Sequence, residues 1–141
     1  TELSRLEGKP QMMDAAALGD ALFSSARKVL LGALVAERAN HVVATALYYP
    51  GYDILTNAYG YHLGDIVVTE SARRGGIGRA LIAHLARQNL SEGGEWMSLT
   101  VLSDNLAARA FYHALEMVHV PVEFFAGGKL TLARVMEAAT K

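Results

Sequence analysis

A glycine-rich turn between a strand and a helix constrains the fold of this chain more than any other segment. The β-branched residues 66–68 predict a central strand, and from Ile77 onward the apolar residues recur at the three- and four-residue spacings of one helix face. The turn itself, residues 73–76, reads Arg-Arg-Gly-Gly. The first backbone N–H groups of a helix have no partner within it, and the helix dipole adds partial positive charge there. The segment therefore predicts an anion-binding site.

The composition of the turn indicates a ligand that carries phosphate. Gly76 and Gly78 let a pyrophosphate approach the backbone closely, and the neighbouring arginines supply positive charge. The alternative is a structural turn that needs glycine for its dihedral angles alone.

Two other phosphate motifs fail on these residues. The dinucleotide fingerprint G-x-G-x-x-G, begun at Gly76, needs a small residue where the chain has Leu81. The P-loop motif G-x-x-x-x-G-K-[ST] needs glycine in place of Arg73 and lysine in place of Arg79. The turn therefore predicts neither a Rossmann-type dinucleotide site nor a nucleotide hydrolase.

Hydrophobic patterning along the chain predicts a mixed α/β fold. Strands are predicted over residues 29–37, 41–49, 61–69, 96–102 and 117–126, and helices over residues 13–23, 77–92, 106–114 and 132–139. The polar residues 38–40 indicate an antiparallel hairpin, and Pro50-Gly51 is expected to end its second strand before a loop over residues 53–60. The order of elements over residues 61–126 requires right-handed crossovers and at least one parallel pair of strands. We therefore expect a mixed sheet with helices on both faces.

Length and composition narrow the class of protein. A chain of 141 residues is expected to form a single domain over residues 1–141. Thirteen Lys and Arg against fourteen Asp and Glu leave a net charge of −1, which argues against nucleic acid as a partner. No apolar run approaches the roughly 18 residues of a membrane-spanning helix, so no membrane partner is expected. The chain has no cysteine and residues 1–15 lack a signal-peptide pattern, so we expect a cytoplasmic protein.

Two motifs resemble those of the GNAT superfamily of N-acetyltransferases. Arg73-x-x-Gly76-x-Gly78 matches its acyl-CoA motif Q/R-x-x-G-x-G/A, and residues 105–115 are similar to its second motif, N-x-x-A-x-x-F-Y-x-x-L. The resemblance covers nearly the whole chain, and the family's first strand and most of its first helix are expected before Thr1. Shorter matches resemble the diamine (spermidine/spermine) acetyltransferase branch, at residues 6–7, 46–49, 52–53 and 65.

The resemblance implies a centrally splayed sheet with acetyl-CoA bound in the gap between two strands. Its pantetheine arm is expected on backbone groups of Ile66 and Val68, and its pyrophosphate on the glycine turn. The expected cofactor-binding residues are Ile66, Val68, Arg73, Arg74, Gly76, Ile77, Gly78, Arg79 and Asn105. For Asn105 the alternative is a helix cap. The family commonly pairs, so a homodimer is also expected.

Acetyl transfer to an amine needs a base and an acid, because an alkylammonium has a pKa near 10 and the leaving thiol a pKa near 8.5. A backbone N–H near Ile66 is expected to stabilise the oxyanion that forms. Tyr112 points about 150° away from the apolar stripe of its helix. The resemblance implies that Tyr112 protonates the CoA thiolate; the alternative is an exposed or interface tyrosine.

Asp65 is the candidate for the base. It either works through a chain of water molecules or attracts a cationic acceptor, and the alternative is a solvated carboxylate at the edge of a strand. His62 and His84 have no metal-ligand spacing, so no metal is expected.

The acceptor implied by the resemblance is a small cationic primary amine, such as a polyamine or an amino acid. Glu7, Asp53 and Glu123 are candidates for an acidic rim that binds it. Gly64 stands where the diamine branch usually has a second carboxylate beside Asp65, so a protein or an aminoglycoside is the alternative acceptor. A catalytically silent acyl-CoA-binding regulatory module is the alternative from another class.

Overall fold

The computed structural model describes residues 30–139 and the separate positions 15, 16, 19 and 23. Those four positions are helical, within the helix predicted over residues 13–23. The other residues of that predicted helix lie outside the described residues, and so does Glu7. The chain divides after Asn105 into two compact units.

The first unit is built on a four-stranded sheet in the order β1-β2-β3-β4. Its elements are β1 (Gly32–Arg38), β2 (His41–Asp53), β3 (Ala58–Val68), helix α1 (Ile77–Ser91) and β4 (Trp96–Leu99). The first three strands are antiparallel to one another, whereas β3 and β4 are parallel and are joined by the crossover through α1. The prediction of a mixed α/β sheet is confirmed.

The β1–β2 hairpin forms as predicted, through the two-residue turn Ala39-Asn40. Their φ angles of 50° and 62° are the left-handed pair that matches a two-residue turn to the twist of its strands. The predicted end of β2 at Pro50-Gly51 is wrong, because β2 continues to Asp53 and the loop shortens to residues 54–57. Pairing between β1 and β2 stops at Tyr48, so at Pro50 the β1 side of β2 is an open edge. Proline has no backbone N–H, and on this open edge its absence removes no hydrogen bond between strands.

Helix α1 packs on the sheet through an apolar stripe. Its buried residues are Leu81, Ile82, Leu85 and Asn89. Near its C-terminus, Gln88 Nε2 donates to Tyr48 Oη at 2.7 Å, and the Tyr61 hydroxyl donates to Glu92. Burial and the bond to Glu92 raise the pKa of Tyr61 to about 12. These contacts hold α1, and with it the glycine turn at its start, against β2 and β3.

Trp96 sets the position of β4 against the hairpin. Its indole ring lies over Gly60 of β3 and Gly51 of β2, which are partners in the ladder. The indole Nε1 donates to Ala58 O at 3.0 Å. Pairing then continues for four residues and ends where Leu63 meets Leu99, so β4 stops short of the strand predicted over residues 96–102.

We expect Gly60→Ala to lower the free energy of unfolding by about 1–3 kcal/mol. A methyl group at this position would overlap both the indole ring and the carbonyl oxygen of Trp96. Urea denaturation measures the change. Gly64→Ala is the matched control, because its added carbon would lie 3.6 Å from the nearest atom, an ordinary contact. Equal stability of the two variants would contradict this role of Trp96.

The second unit contains α2 (Leu106–Ala114) and α3 (Lys129–Ala139), where the patterning predicts helices. The strand predicted over residues 117–126 is wrong, because residues 117–128 have no regular secondary structure. A strand needs a paired neighbour, and no strand in the described part of the chain pairs with this segment. Pro121 also removes one of its hydrogen-bond donors.

Candidate active site

Strand β4 ends at Leu99, which is the ladder partner of Leu63 in β3. Strand β3 continues to Val68, whereas its pairing with β4 has already ended. In the described part of the chain, no strand pairs with the outer edge of residues 64–68. We call this open edge, residues 64–68 of β3, the fork. It confirms the splayed sheet that the family resemblance predicts.

The backbone amides of Ile66 and Val68 face the open edge of the fork. The N–H of Thr69 donates to Val43 O of β2 at 2.9 Å, and backbone groups of successive strand residues face opposite sides. The amides one and three residues before Thr69 therefore face away from β2. The Val68 carbonyl, on the same edge, accepts a hydrogen bond from Arg73 Nε at 3.0 Å. Ile66 and Val68 are the residues that the family resemblance implies for the pantetheine arm.

A β-bulge at Gly64 produces this orientation. Leu47 of β2 pairs with Asp65, and the next residue, Tyr48, pairs with Leu63. Three residues of β3, 63–65, therefore lie opposite two residues of β2. Before the bulge, the backbone N–H and C=O groups of odd-numbered β3 residues face β4, because Tyr59 O accepts from the Glu95 N–H at 2.8 Å. After the bulge, the backbone groups of even-numbered residues face this same edge of β3. Without the extra residue, the amides of Ile66 and Val68 would be used in the ladder with β2.

The glycine turn forms the start of α1 and borders open space at Gly76. Gly76 is the N-cap of α1 in the left-handed conformation, with a φ of 79°, and no side chain caps the helix. The first intrahelical bond runs from Ala80 N to Gly76 O at 2.9 Å, so the amides of residues 77–79 precede it. A Cβ at Gly76 would meet no atom within 4 Å. The turn therefore has the space and the donors that a pyrophosphate requires.

His62 and Asp65 lie on the same face of β3, beside the fork. In the ladder, Tyr49 pairs with His62 and Leu47 pairs with Asp65. Tyr49 and Leu47 are two residues apart on β2 and share a face, so their partners share it too. Asp65 is half-buried, and its Oδ1 atom is fully buried. The bulge thus places an imidazole and a carboxylate side by side.

His62 is a candidate site residue that sequence reasoning missed. Its Nδ1 lies 3.0 Å from Ser98 Oγ across the β3–β4 ladder, and its ring centroid lies 4.9 Å from that of Tyr49. Burial lowers the pKa of His62, which favours the neutral imidazole. The sequence contains no signal for its proximity to Asp65, because residues three apart face opposite ways in a regular strand.

Asp53 lies at the far end of the β2–β3 hairpin from the fork. Its carboxylate accepts from Thr56 Oγ1 at 2.7 Å and from the Leu55 N–H at 3.0 Å, and these bonds lower its pKa. Its ladder partner Ala58 is seven residues before Asp65, about 23 Å along the strand. The structure therefore does not bring Asp53 to the fork.

The remaining predicted residues lie at or beyond the end of the first unit. Asn105 directly precedes α2, and its N–H donates to Leu102 O at 2.9 Å, so both of its interpretations stay open. Tyr112 in α2 is half-buried, with its ring centroid 5.2 Å from that of Phe111. Glu123 is exposed in the irregular segment. The functional roles of these residues stay predictions.

Two further kinds of site were sought among residues 30–139 and the four separate positions. None of the described helices has the length and apolar character to cross a membrane. No three His, Asp or Glu side chains in this part of the chain are grouped so that they could hold a metal ion.

Comparison with known proteins places the fold and the family. An integron cassette protein from the mobile metagenome of V. cholerae is 21% identical, with a TM-score of 0.80 over 96% of this chain and 86% of that one. An aminoglycoside acetyltransferase from an uncultured soil metagenomic sample is 18% identical, with a TM-score of 0.73 over 90% and 84%. The ribosomal-protein-alanine N-acetyltransferase of Brucella melitensis is 19% identical, with a TM-score of 0.62 over 70% and 73%. No curated protein matches significantly.

These solved structures share the fold of the chain at low identity. The sequence itself matches the acetyltransferase (GNAT) family over residues 5–117, which include the fork, the glycine turn and α2. The chain therefore belongs to the GNAT family of acetyltransferases.

Proposed function

We propose that this protein transfers the acetyl group of acetyl-CoA to a primary amine. The observation that carries the proposal is the open edge of the fork, which is joined to the glycine turn by one short 3-10 helix, Glu70–Ala72. A peptide-like arm can bond along the edge, and a pyrophosphate can bind at its end. The family of the chain supports the same reaction.

The fork and the turn supply donors for each part of the acyl donor. Backbone groups of Ile66 and Val68 bond the pantetheine arm, and a backbone N–H near Ile66 stabilises the oxyanion at the thioester carbon. The amides of residues 76–79 bind the pyrophosphate, with positive charge from Arg73, Arg74 and Arg79. Asn105 also bonds the pantetheine arm.

Tyr112 donates a proton to the CoA thiolate as the C–S bond breaks. A phenol hydroxyl within hydrogen-bond distance of the sulfur can act as this acid. Asp65 attracts the ammonium form of the acceptor, since a half-buried carboxylate is screened less by water than an exposed one. Its position on the face of β3 beside the fork supports this role.

The acceptor we propose is a small cationic amine, such as a polyamine or an amino acid. Asp65 favours an ammonium and repels a carboxylate, and Glu7 and Glu123 add negative charge along the chain. Aminoglycosides are also polycationic amines, and one of the similar structures is an aminoglycoside acetyltransferase. This similarity supports including them among the acceptors tested.

We expect acetyl-CoA, but neither NAD nor ATP, to raise the melting temperature of the purified protein. A ligand at a hundred times its Kd adds about 2.7 kcal/mol to the free energy of unfolding. A thiol assay then measures CoA release with spermidine, putrescine, lysine, kanamycin, a lysine-containing peptide and glutamate.

The two assays separate the alternatives. Stabilisation by acetyl-CoA without CoA release from any amine indicates a silent acyl-CoA-binding module. Glutamate as the best acceptor would overturn the cationic substrate, and stabilisation by NAD or ATP alone would overturn the acyl-CoA site.

We also propose that the protein is a cytoplasmic homodimer. The apolar fraction is 52%, and Phe124 and Phe125 in the second unit are more than four-fifths exposed. Apolar surface of this kind favours association with a second copy. The cytoplasm is where a supply of acetyl-CoA is expected.

A further inference from the structure

The acyl end of the bound donor is expected at the closed end of the fork. The pyrophosphate site lies beyond Val68, at the C-terminal end of β3, and the pantetheine arm extends from it back along the open edge. The edge closes where Leu63 pairs with Leu99. His62 and Ser98 are the ladder pair directly before that point. The imidazole is therefore at the end of the fork where the thioester is expected.

Ser98 Oγ lies within hydrogen-bond distance of His62 Nδ1, and a serine hydroxyl can accept from a protonated Nδ1 or donate to an unprotonated one. When Nδ1 carries the hydrogen and donates to Ser98 Oγ, Nε2 has a free lone pair. In the described part of the chain, this is the one hydrogen bond that involves the His62 ring. The contact with Tyr49 further restricts the plane of the ring. The bond to Ser98 and the contact with Tyr49 together restrict the ring of His62.

We propose that His62 is the general base of the acetyl transfer and that Ser98 is a positioning residue that sets its tautomer. The inference rests on the proposed function and deepens it. Asp65 then attracts the cationic acceptor without accepting its proton.

The proton transfers balance. The ammonium of the acceptor loses one proton to solvent, and the neutral amine attacks the thioester carbon to form the C–N bond. The nitrogen becomes cationic and acidic, and His62 Nε2 accepts its proton, through a water molecule where the two nitrogens are not in contact. The C–S bond then breaks, and the thiolate takes a proton from Tyr112. Exchange with solvent restores His62 and Tyr112, and one proton is released overall.

The groups around His62 are compatible with a base that is neutral at working pH. The nearest titratable groups on its face are Tyr49 on β2 and Asp65 on β3, while β4 contributes Ser98, which does not titrate. Burial lowers the pKa of His62 from its ordinary value near 6.5.

The test is the pH dependence of kcat/KM, measured with acetyl-CoA and the best acceptor among spermidine, putrescine, lysine and kanamycin. In the wild type, the slope of log kcat/KM against pH is expected to fall from two to one as His62 loses its proton. Each proton that must be lost before the reaction, one from the acceptor ammonium and one from His62, adds one to this slope at a pH below the pKa of that group. We expect His62→Gln to lower kcat/KM by about 10²–10⁴-fold at neutral pH and to show a slope of one throughout. The Kd of acetyl-CoA should be unchanged.

Three further variants distinguish the roles. His84→Gln makes the same change at an exposed position of α1 and should leave kinetics unchanged. Ser98→Ala should shift the break in slope, since it removes the bond that sets the tautomer. Asp65→Asn should raise KM for cationic acceptors and keep the break. A His62→Gln profile that keeps the break, or an Asp65→Asn profile that loses it, overturns the proposal.

A measurement independent of turnover separates this inference from the proposed function. Nitrogen-15 NMR of the imidazole rings, assigned with His62→Gln, reports which nitrogen of His62 carries the hydrogen. We expect hydrogen on Nδ1 in the wild type and a mixture of tautomers in Ser98→Ala. Hydrogen on Nε2 would overturn the assignment of the base even if the protein is an active acetyltransferase. If no amine is acetylated while Nδ1 carries the hydrogen, the proposed function fails instead.

Discussion

Gly76→Val is expected to weaken acetyl-CoA binding by at least about 100-fold while the chain stays folded. Open space lies over this glycine, and the valine side chain would fill the place of the pyrophosphate and screen the amides of residues 77–79. Loss of one or two charge-assisted hydrogen bonds, worth about 1.5–3 kcal/mol each, accounts for the fall in affinity. Isothermal titration calorimetry with acetyl-CoA measures it.

The control for Gly76→Val is Gly93→Val. Gly93 follows the C-terminus of α1 with a φ of 85°, close to the 79° of Gly76, and it too has no atom within 4 Å of an added Cβ. A side chain in the left-handed region costs about 1–2 kcal/mol, so both variants should lose similar stability. Only Gly76→Val should lose the ligand. Equal affinity of the two variants would mean that the turn is purely structural.

Tyr112→Phe is expected to lower kcat by about 10²–10⁴-fold with little change in the Kd of acetyl-CoA. The substitution removes one hydroxyl group and almost no volume, so the effect should lie in proton transfer to the thiolate rather than in binding. An acceptor assay under saturating acetyl-CoA measures kcat, and calorimetry measures the Kd.

Tyr59→Phe is the matched control for this variant. It deletes the same hydroxyl from a tyrosine that is 65% exposed on β3, close to the hairpin turn. We expect its kcat to match that of the wild type. If Tyr112→Phe also retains the wild-type rate across the pH range, Tyr112 is not the acid and another group must protonate the thiolate.

Local sequence determined the elements in which a few residues decide the backbone. Glycines and arginines between a β-branched run and an amphipathic pattern predicted the strand–turn–helix unit, and Ala39-Asn40 lay within the predicted hairpin turn. These predictions succeeded because helix starts and two-residue turns depend on dihedral preferences and hydrogen bonds within a few residues. The family motifs, at residues 73–78 and 105–115, were also visible in the sequence.

The predictions that failed, or could not be made, concern where strand pairing begins and ends. Pro50 indicates the end of a strand, yet it is tolerated within β2 because β1 no longer pairs there. Residues 117–126 alternate like a strand, but a strand forms only when a partner accepts its hydrogen bonds. Asp53 and Asp65 both contribute negative charge in the sequence, whereas the hairpin places Asp53 of β2 opposite the start of β3 and Asp65 near the other end of β3.

The sequence by itself determined the turn that suits a pyrophosphate, the mixed α/β class and the identity of the acetyltransferase motifs. Only the tertiary structure decided how far β3 extends past β4. The packing of Trp96 on Gly60 sets the register of the two strands, and the pairing that begins there spans four residues and ends at Leu63. The tertiary structure also placed His62 beside Asp65. One extra residue at Gly64 changes the alternation of the strand, and that change becomes visible only when β3 is paired with β2.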